Sequence, residues 1–180
     1  MKKTLAAVTL VLAQAAFAQD LPTGYTCCNL HFDKDRISDA NWTHAPMILA
    51  GAPIRVLSYG TNEANVEIDG KPFVIAHEYG RKQETVEQFV RKIVVPSNPA
   101  QKIAGWPEPI RSAVRAGTVV NGMTREQVIL SVGYPPTHRT PALDAPVWNH
   151  WQSRAGRFEV YFGADGKVER TNGIKERGQK

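Results

Sequence analysis

Gly122-Met123-Thr124-Arg125-Glu126-Gln127-Val128-Ile129-Leu130-Ser131-Val132-Gly133-Tyr134-Pro135 is the stretch that decides how this chain is read. Thr124 stands three residues before Gln127, the spacing at which each side chain can bond a free amide of a helix's first turn. Gly122 frees the backbone ahead of the helix, Met123 can staple its start to a core, Val128 packs, and Gly133 ends it before Pro135. Upstream, Pro107 to Ala116 reads as a short helix with Ile110, Ala113 and Val114 facing inward and Gly117 at its end. Beyond Pro135-Pro136 the hydrophobic period changes from helical to alternating. Val147 to Gln152, Arg157 to Phe162 and Lys167 to Thr171 are the expected strands, and Ala164-Asp165-Gly166 turns between the last two.

The first half has a different texture. Cys27 to Phe32 alternates as a strand, with Cys28, Leu30 and Phe32 on one face and Cys27, Asn29 and His31 on the other. Ile54 to Tyr59, Asn65 to Ile68 and Lys71 to His77 read as further extended runs, the last two joined by Asp69-Gly70, a pair that tight hairpins favour. The Ala50-Gly51-Ala52-Pro53-Ile54-Arg55-Val56 entry and the short strands after it suit a small Src-homology-3-like barrel. From Gln83 to Val94, Val86, Phe89, Val90 and Ile93 recur at helical spacing opposite a charged side. The fold class that follows is α+β. A small antiparallel β unit with one amphipathic helix spans 19–96, a Pro-punctuated linker spans 97–106, and a two-helix, three-stranded antiparallel module spans 107–173, followed by a charged tail over 174–180.

At the N-terminus, Lys2 and Lys3 precede an apolar run from Leu5 to Leu12 and the small-x-small signature Ala16-Phe17-Ala18, so residues 1–18 read as a signal peptide cleaved before Gln19. The apolar run is shorter than the roughly 20 residues a membrane span needs. A lipid-bearing cysteine needs small residues before it, and Cys27 follows Gly24-Tyr25-Thr26, so no lipid anchor is expected. Losing the leader takes the formal charge from +5 to +3. That mild excess is compatible with peripheral contact with an anionic lipid surface but gives no support to nucleic-acid binding. The periplasm, in association with the outer membrane, is the expected location.

Cys27 and Cys28 are the only cysteines. In a strand they would point to opposite faces, and a ring between neighbours is awkward, so a buried apolar role is expected, ahead of intermolecular pairing or metal binding.

With these elements in place, the order of residues 117–172 resembles the SmpA/OmlA/BamE family of outer-membrane assembly lipoproteins. The resemblance rests on Gly122-Met123-Thr124 with Gln127-Val128, on Gly133-Tyr134-Pro135, on Trp148 with His150, and on the Phe158 to Phe162 strand closing through Asp165-Gly166 onto Val168. It covers about one third of the chain. It implies a two-helix, three-stranded module in an accessory of the machinery that inserts β-barrel proteins, contacting envelope protein partners and anionic lipid. The chain departs from the family in lacking a lipidation cysteine and in carrying an unrelated β unit ahead of the module.

No Gly-x-Ser-x-Gly, His-Glu-x-x-His or paired-carboxylate motif is present, so no catalytic residue, metal site or cofactor is assigned. Exposed aromatics are the better lead. Trp148 and Trp151 fall on opposite faces of one strand, so Trp151 is expected on the open face with Tyr161, with Arg154 and Arg157 beside them. The alternative for Trp151 is a surface ring covered by the loop from Thr137 to Pro146. His138 is expected to be solvated and His150 partly buried. The leading function is a non-catalytic envelope protein that binds another envelope protein through that face, in support of outer-membrane assembly. An alternative is an exported inhibitor or sensor that occludes a hydrolase such as a β-lactamase. A third is an enzyme with a pocket around His31, His44 and His77.

Overall fold

The computed structural model describes residues 21–175, so the leader over 1–18 and all but two residues of the charged tail lie outside the described residues. The chain is mixed α+β. Its first half forms β1 (Thr23–Thr26), β2 (Leu30–His31), β3 (Arg36–Ser38), β4 (Met47–Ile48), β5 (Pro53–Tyr59), β6 (Glu63–Ile68), β7 (Lys71–Ala76), α1 (Val86–Ile93) and β8 (Val94–Val95). The second half forms α2 (Ala100–Ala104), α3 (Glu108–Ala116), α4 (Arg125–Val132), β9 (Val147–Trp151), β10 (Arg157–Phe162) and β11 (Val168–Asn172).

In the first unit a curled six-stranded sheet runs β3-β7-β6-β5-β1-β8. It is antiparallel except at one edge, where β3 joins β7 in parallel. Asp69 and Gly70 both take positive φ, 49° and 73°, as the hairpin of β6 and β7 requires. Ile54, Val56, Val66, Ile68 and Ile75 alternate inward and meet Val86, Phe89, Val90 and Ile93 of α1. The helix starts at Val86 rather than Gln83 because Thr85 caps it, with Gln88 returning the bond to the Thr85 amide.

The expected single strand from Cys27 to Phe32 is broken. The chain bends at Cys27 and Cys28, which are joined to each other by a disulfide, and pairs again only at Leu30–His31. Because the two cysteines sit in a bend, strand alternation no longer holds them on opposite faces. Nor does the run have an outer face: Cys28 and Leu30 join the sheet's core, while Asn29 and His31, at 0% and 2% exposure, are equally buried. The reason is that the second half packs against them.

The Pro-punctuated stretch at 97–106 contains α2, which has no fully buried residue. After it, α3 ends in a left-handed Gly117 and α4 begins on Thr124 with the full capping box. Their apolar sides cover one face of the sheet β11-β10-β9. Met123, Val128, Trp148 and Val160 are wholly buried there, with Phe158, Phe162 and Val168 around them. Among the described residues no helix is long and apolar enough to cross a membrane.

The two halves interlock at the ends of α3 and α4. The last carbonyls of a helix have no partner within it. Here the first unit supplies those partners: the Asn29 amide donates to Val114 O at 2.7 Å and Ser131 O at 3.0 Å, its backbone N–H donates to Leu130 O, and the Asn41 amide donates to Val132 O at 2.8 Å. Ile129 packs against both cores. A Cβ at Gly133, whose φ is 80°, would collide with the Asn41 amide, so this glycine serves both the helix end and the junction.

Candidate functional site

The face of β9-β10-β11 that turns away from the helices collects alternate residues of each strand. Trp151 and Arg157 are directly opposed, as are Tyr161 and Arg170 and, further along, Glu159 and Asn172. Arg157, Arg170 and Asn172 are exposed, and Trp151, Glu159 and Tyr161 are half-buried. The Arg170 guanidinium lies 3.4 Å from the centre of the Tyr161 ring, a cation–π contact across the two strands. Tyr161 Oη donates to Glu159 Oε2 at 2.7 Å, and Arg157 Nη2 sits 3.4 Å from Glu159 Oε1. The Tyr161 hydroxyl, with Asn172, Arg157 and Arg170 around it, holds the Glu159 carboxyl below the usual carboxylate range. The face is thus aromatic, with two guanidinium groups against one carboxylate.

Of the residues expected there, Trp151, Arg157 and Tyr161 are brought together. Arg154 is not. It lies beyond the end of β9, in the turn toward β10, where its guanidinium is 5.5 Å from the ring of Trp42 in the first unit. The turn carries it off the sheet and toward Trp42. His138 is also not solvated as expected: it lies between Tyr79, at 5.8 Å, and Trp151, at 5.6 Å, forming a row of three rings across the two halves. Desolvation, and then the neighbouring Arg139, lowers its pKa. The loop after α4 therefore does reach Trp151, which accounts for that ring being half-buried. The same loop ties the edge of β9, since Thr140 Oγ1 accepts from the Asn149 backbone N–H at 3.0 Å. No sequence periodicity marked Tyr79, His138 or Arg170, whose contacts are made across strands or across halves.

The fold-specifying residues lie on the covered side. Gly122 takes a φ of 84°, Thr124 and Gln127 exchange their capping bonds, and Trp148 packs edge-on to Phe162 at 4.8 Å. His150, expected to be partly buried, is 2% exposed and stacks on Phe158. Burial lowers its pKa to about 3, so it is a neutral core ring.

The three histidines of the enzymatic reading are not gathered into one pocket. His31 Nδ1 bonds Ala45 O at 2.9 Å. His77 is 1% exposed, with Nδ1 3.0 Å from Asp39 Oδ2 and Nε2 bonded to Glu84 O at 2.9 Å. Burial pulls its pKa down, but the Asp39 carboxylate and the Glu84 carbonyl outweigh that and raise it. With both nitrogens committed and the ring stacked on Phe89, the Asp39–His77 pair holds the connection from β7 to α1 in place. His44 lines a cavity of about 280 Å³ at the junction, where it meets the side chain of Gln152. Among the described residues no three of His, Cys, Asp and Glu stand together as a metal site would require. No family model, no curated protein and no solved structure matches this chain.

Proposed function

We propose that this chain is a non-catalytic, periplasmic protein-binding protein that engages another envelope protein through the open face of β9-β10-β11, in support of outer-membrane protein assembly or envelope integrity. The observation that carries the reading is the pairing of Trp151 with Arg157, next to Tyr161 with Arg170, on a sheet whose other face is filled by α3 and α4. Aromatic and guanidinium groups of this kind anchor protein interfaces. The leader-like residues 1–18 and the motif order over 117–172 support an envelope setting and the SmpA/OmlA/BamE-like role. A small-barrel reading of the first unit rests on the antiparallel run from β7 to β8, and the parallel β3 departs from it.

Affinity capture from envelope extracts with the wild-type chain and with a Trp151→Ala, Arg157→Ala double variant tests the reading. Envelope proteins held by the first and lost by the second are expected, together with a more permeable outer membrane when the gene is deleted. An unchanged set of captured proteins would remove this face from consideration. A stoichiometric complex with a hydrolase, and an intact outer membrane on deletion, would favour an inhibitor instead.

A further inference from the structure

Where α2 crosses from the first unit to α3 there is a cavity of about 320 Å³, lined by Leu49, Ile103, Ala104, Val114, Arg111 and Arg115. Leu49, 52% exposed, gives the rim of this cavity an apolar side. The volume lies at the small end of the range for sites that enclose organic ligands.

The two arginines already show what they grip. Arg111 donates from Nε to Glu108 Oε2 at 2.9 Å and also from Nη2, while Arg115 donates from Nη2 to Glu108 Oε1 at 2.6 Å. One carboxylate thus sits between two guanidinium forks, and Arg111 first, then Arg115, holds the Glu108 carboxyl below its ordinary range. Two cations against one anion leave a positive charge on the rim, and Glu108 itself does not line the cavity.

From this we infer that the cavity between α2, α3 and Leu49 binds a small apolar carboxylate, its body against Leu49, Ile103 and Val114 and its carboxylate chiefly on Arg115, since Arg111 also donates from Nη1 to Ala104 O at 3.1 Å. The site is separate from the sheet face, and the inference does not depend on the partner-binding role. Glu108 is the resident competitor: its removal strengthens binding, whereas removal of Arg115 weakens it.

Octanoate is the probe, titrated into the full chain and followed by calorimetry and by the methyl resonances of Leu49 and Ile103. Saturable binding that shifts those methyls is expected, with affinity reduced about fivefold in Arg115→Gln and raised about threefold in Glu108→Gln, the scale of exposed charge pairs. Octanol and octylamine are expected to bind more weakly than octanoate. Both substitutions lie on the surface, and matching thermal melts establish that the variants are folded. Equal affinity for octanol, unchanged octanoate affinity in Arg115→Gln, weaker binding in Glu108→Gln, or no saturable shift of the two methyls would each overturn the assignment.

Discussion

The two ends of α4 are finished by opposite means. At the N-terminus Thr124 and Gln127, three residues apart, satisfy one another's amides. At the C-terminus the carbonyls of Leu130, Ser131 and Val132 are met by Asn29 and Asn41, about a hundred residues earlier in the chain. The first end is exposed and self-sufficient, while the second is buried and depends on the other half of the molecule. A helix end that water can reach loses little when its cap is removed, but a buried end has no substitute partner. The difference makes the junction, and not the linker, the place where the two halves become one body.

The most damaging single change should therefore be Asn29→Leu. It orphans Ser131 O and the Ala50 amide, whose bond to Asn29 Oδ1 is 2.9 Å, and leaves Val114 O only its bond from the Gly117 N–H, at about 2–6 kcal/mol in total. Urea unfolding monitored by tryptophan fluorescence measures it. A loss under about 1 kcal/mol would mean that the halves stand independently. Second comes the pH response of the module's core. His150 is neutral when folded, with a pKa near 3, and its unfolded value is near 6.5. Its burial therefore carries no penalty above pH 6.5, and stability drains as pH falls from there toward 3, by about 1.4 kcal/mol per pH unit. His150→Phe should flatten that decline in a series of denaturant midpoints. His77 acts in the opposite sense: its raised pKa lends stability that is full below pH 6.5 and fades as pH climbs through the folded value. Third, Thr124→Ala should cost about 1 kcal/mol, the usual toll of an exposed cap, which puts the two ends of α4 on one scale. Smallest is Trp151→Ala, whose half-buried ring on an open face should cost less than about 1 kcal/mol of stability while abolishing partner capture.

What could be read from the residues divides along the same line. The starts and stops of α3 and α4, the strand Arg157–Phe162 and the extended run from Ile54 to Tyr59 within β5 follow from signals a few residues apart, and these were legible. Beyond that reach lay the bend at Cys27–Cys28, the parallel β3 and the capping roles of Asn29 and Asn41. An asparagine in an alternating run looks like an outer-face residue until a second layer arrives to bury it. One signal did exist: after Gln127, α4 reads Val-Ile-Leu-Ser-Val with no charged side, the mark of a helix enclosed all round. At the candidate site, alternation placed Trp151, Arg157 and Tyr161 correctly. It could not foresee that a turn would swing Arg154 onto Trp42, or that His138 would be threaded between two rings.

The dependence of the helix ends on Asn29 also sets an order of events. As the polypeptide is made, Asn29 precedes its partners by a long stretch: its amide meets Val114 O only 85 residues later and Ser131 O only 102 residues later. The early segment must wait, with its polar groups solvated and its apolar neighbours uncovered. Contacts spanning such a length of chain slow folding, because the intervening loop must close before any of them forms.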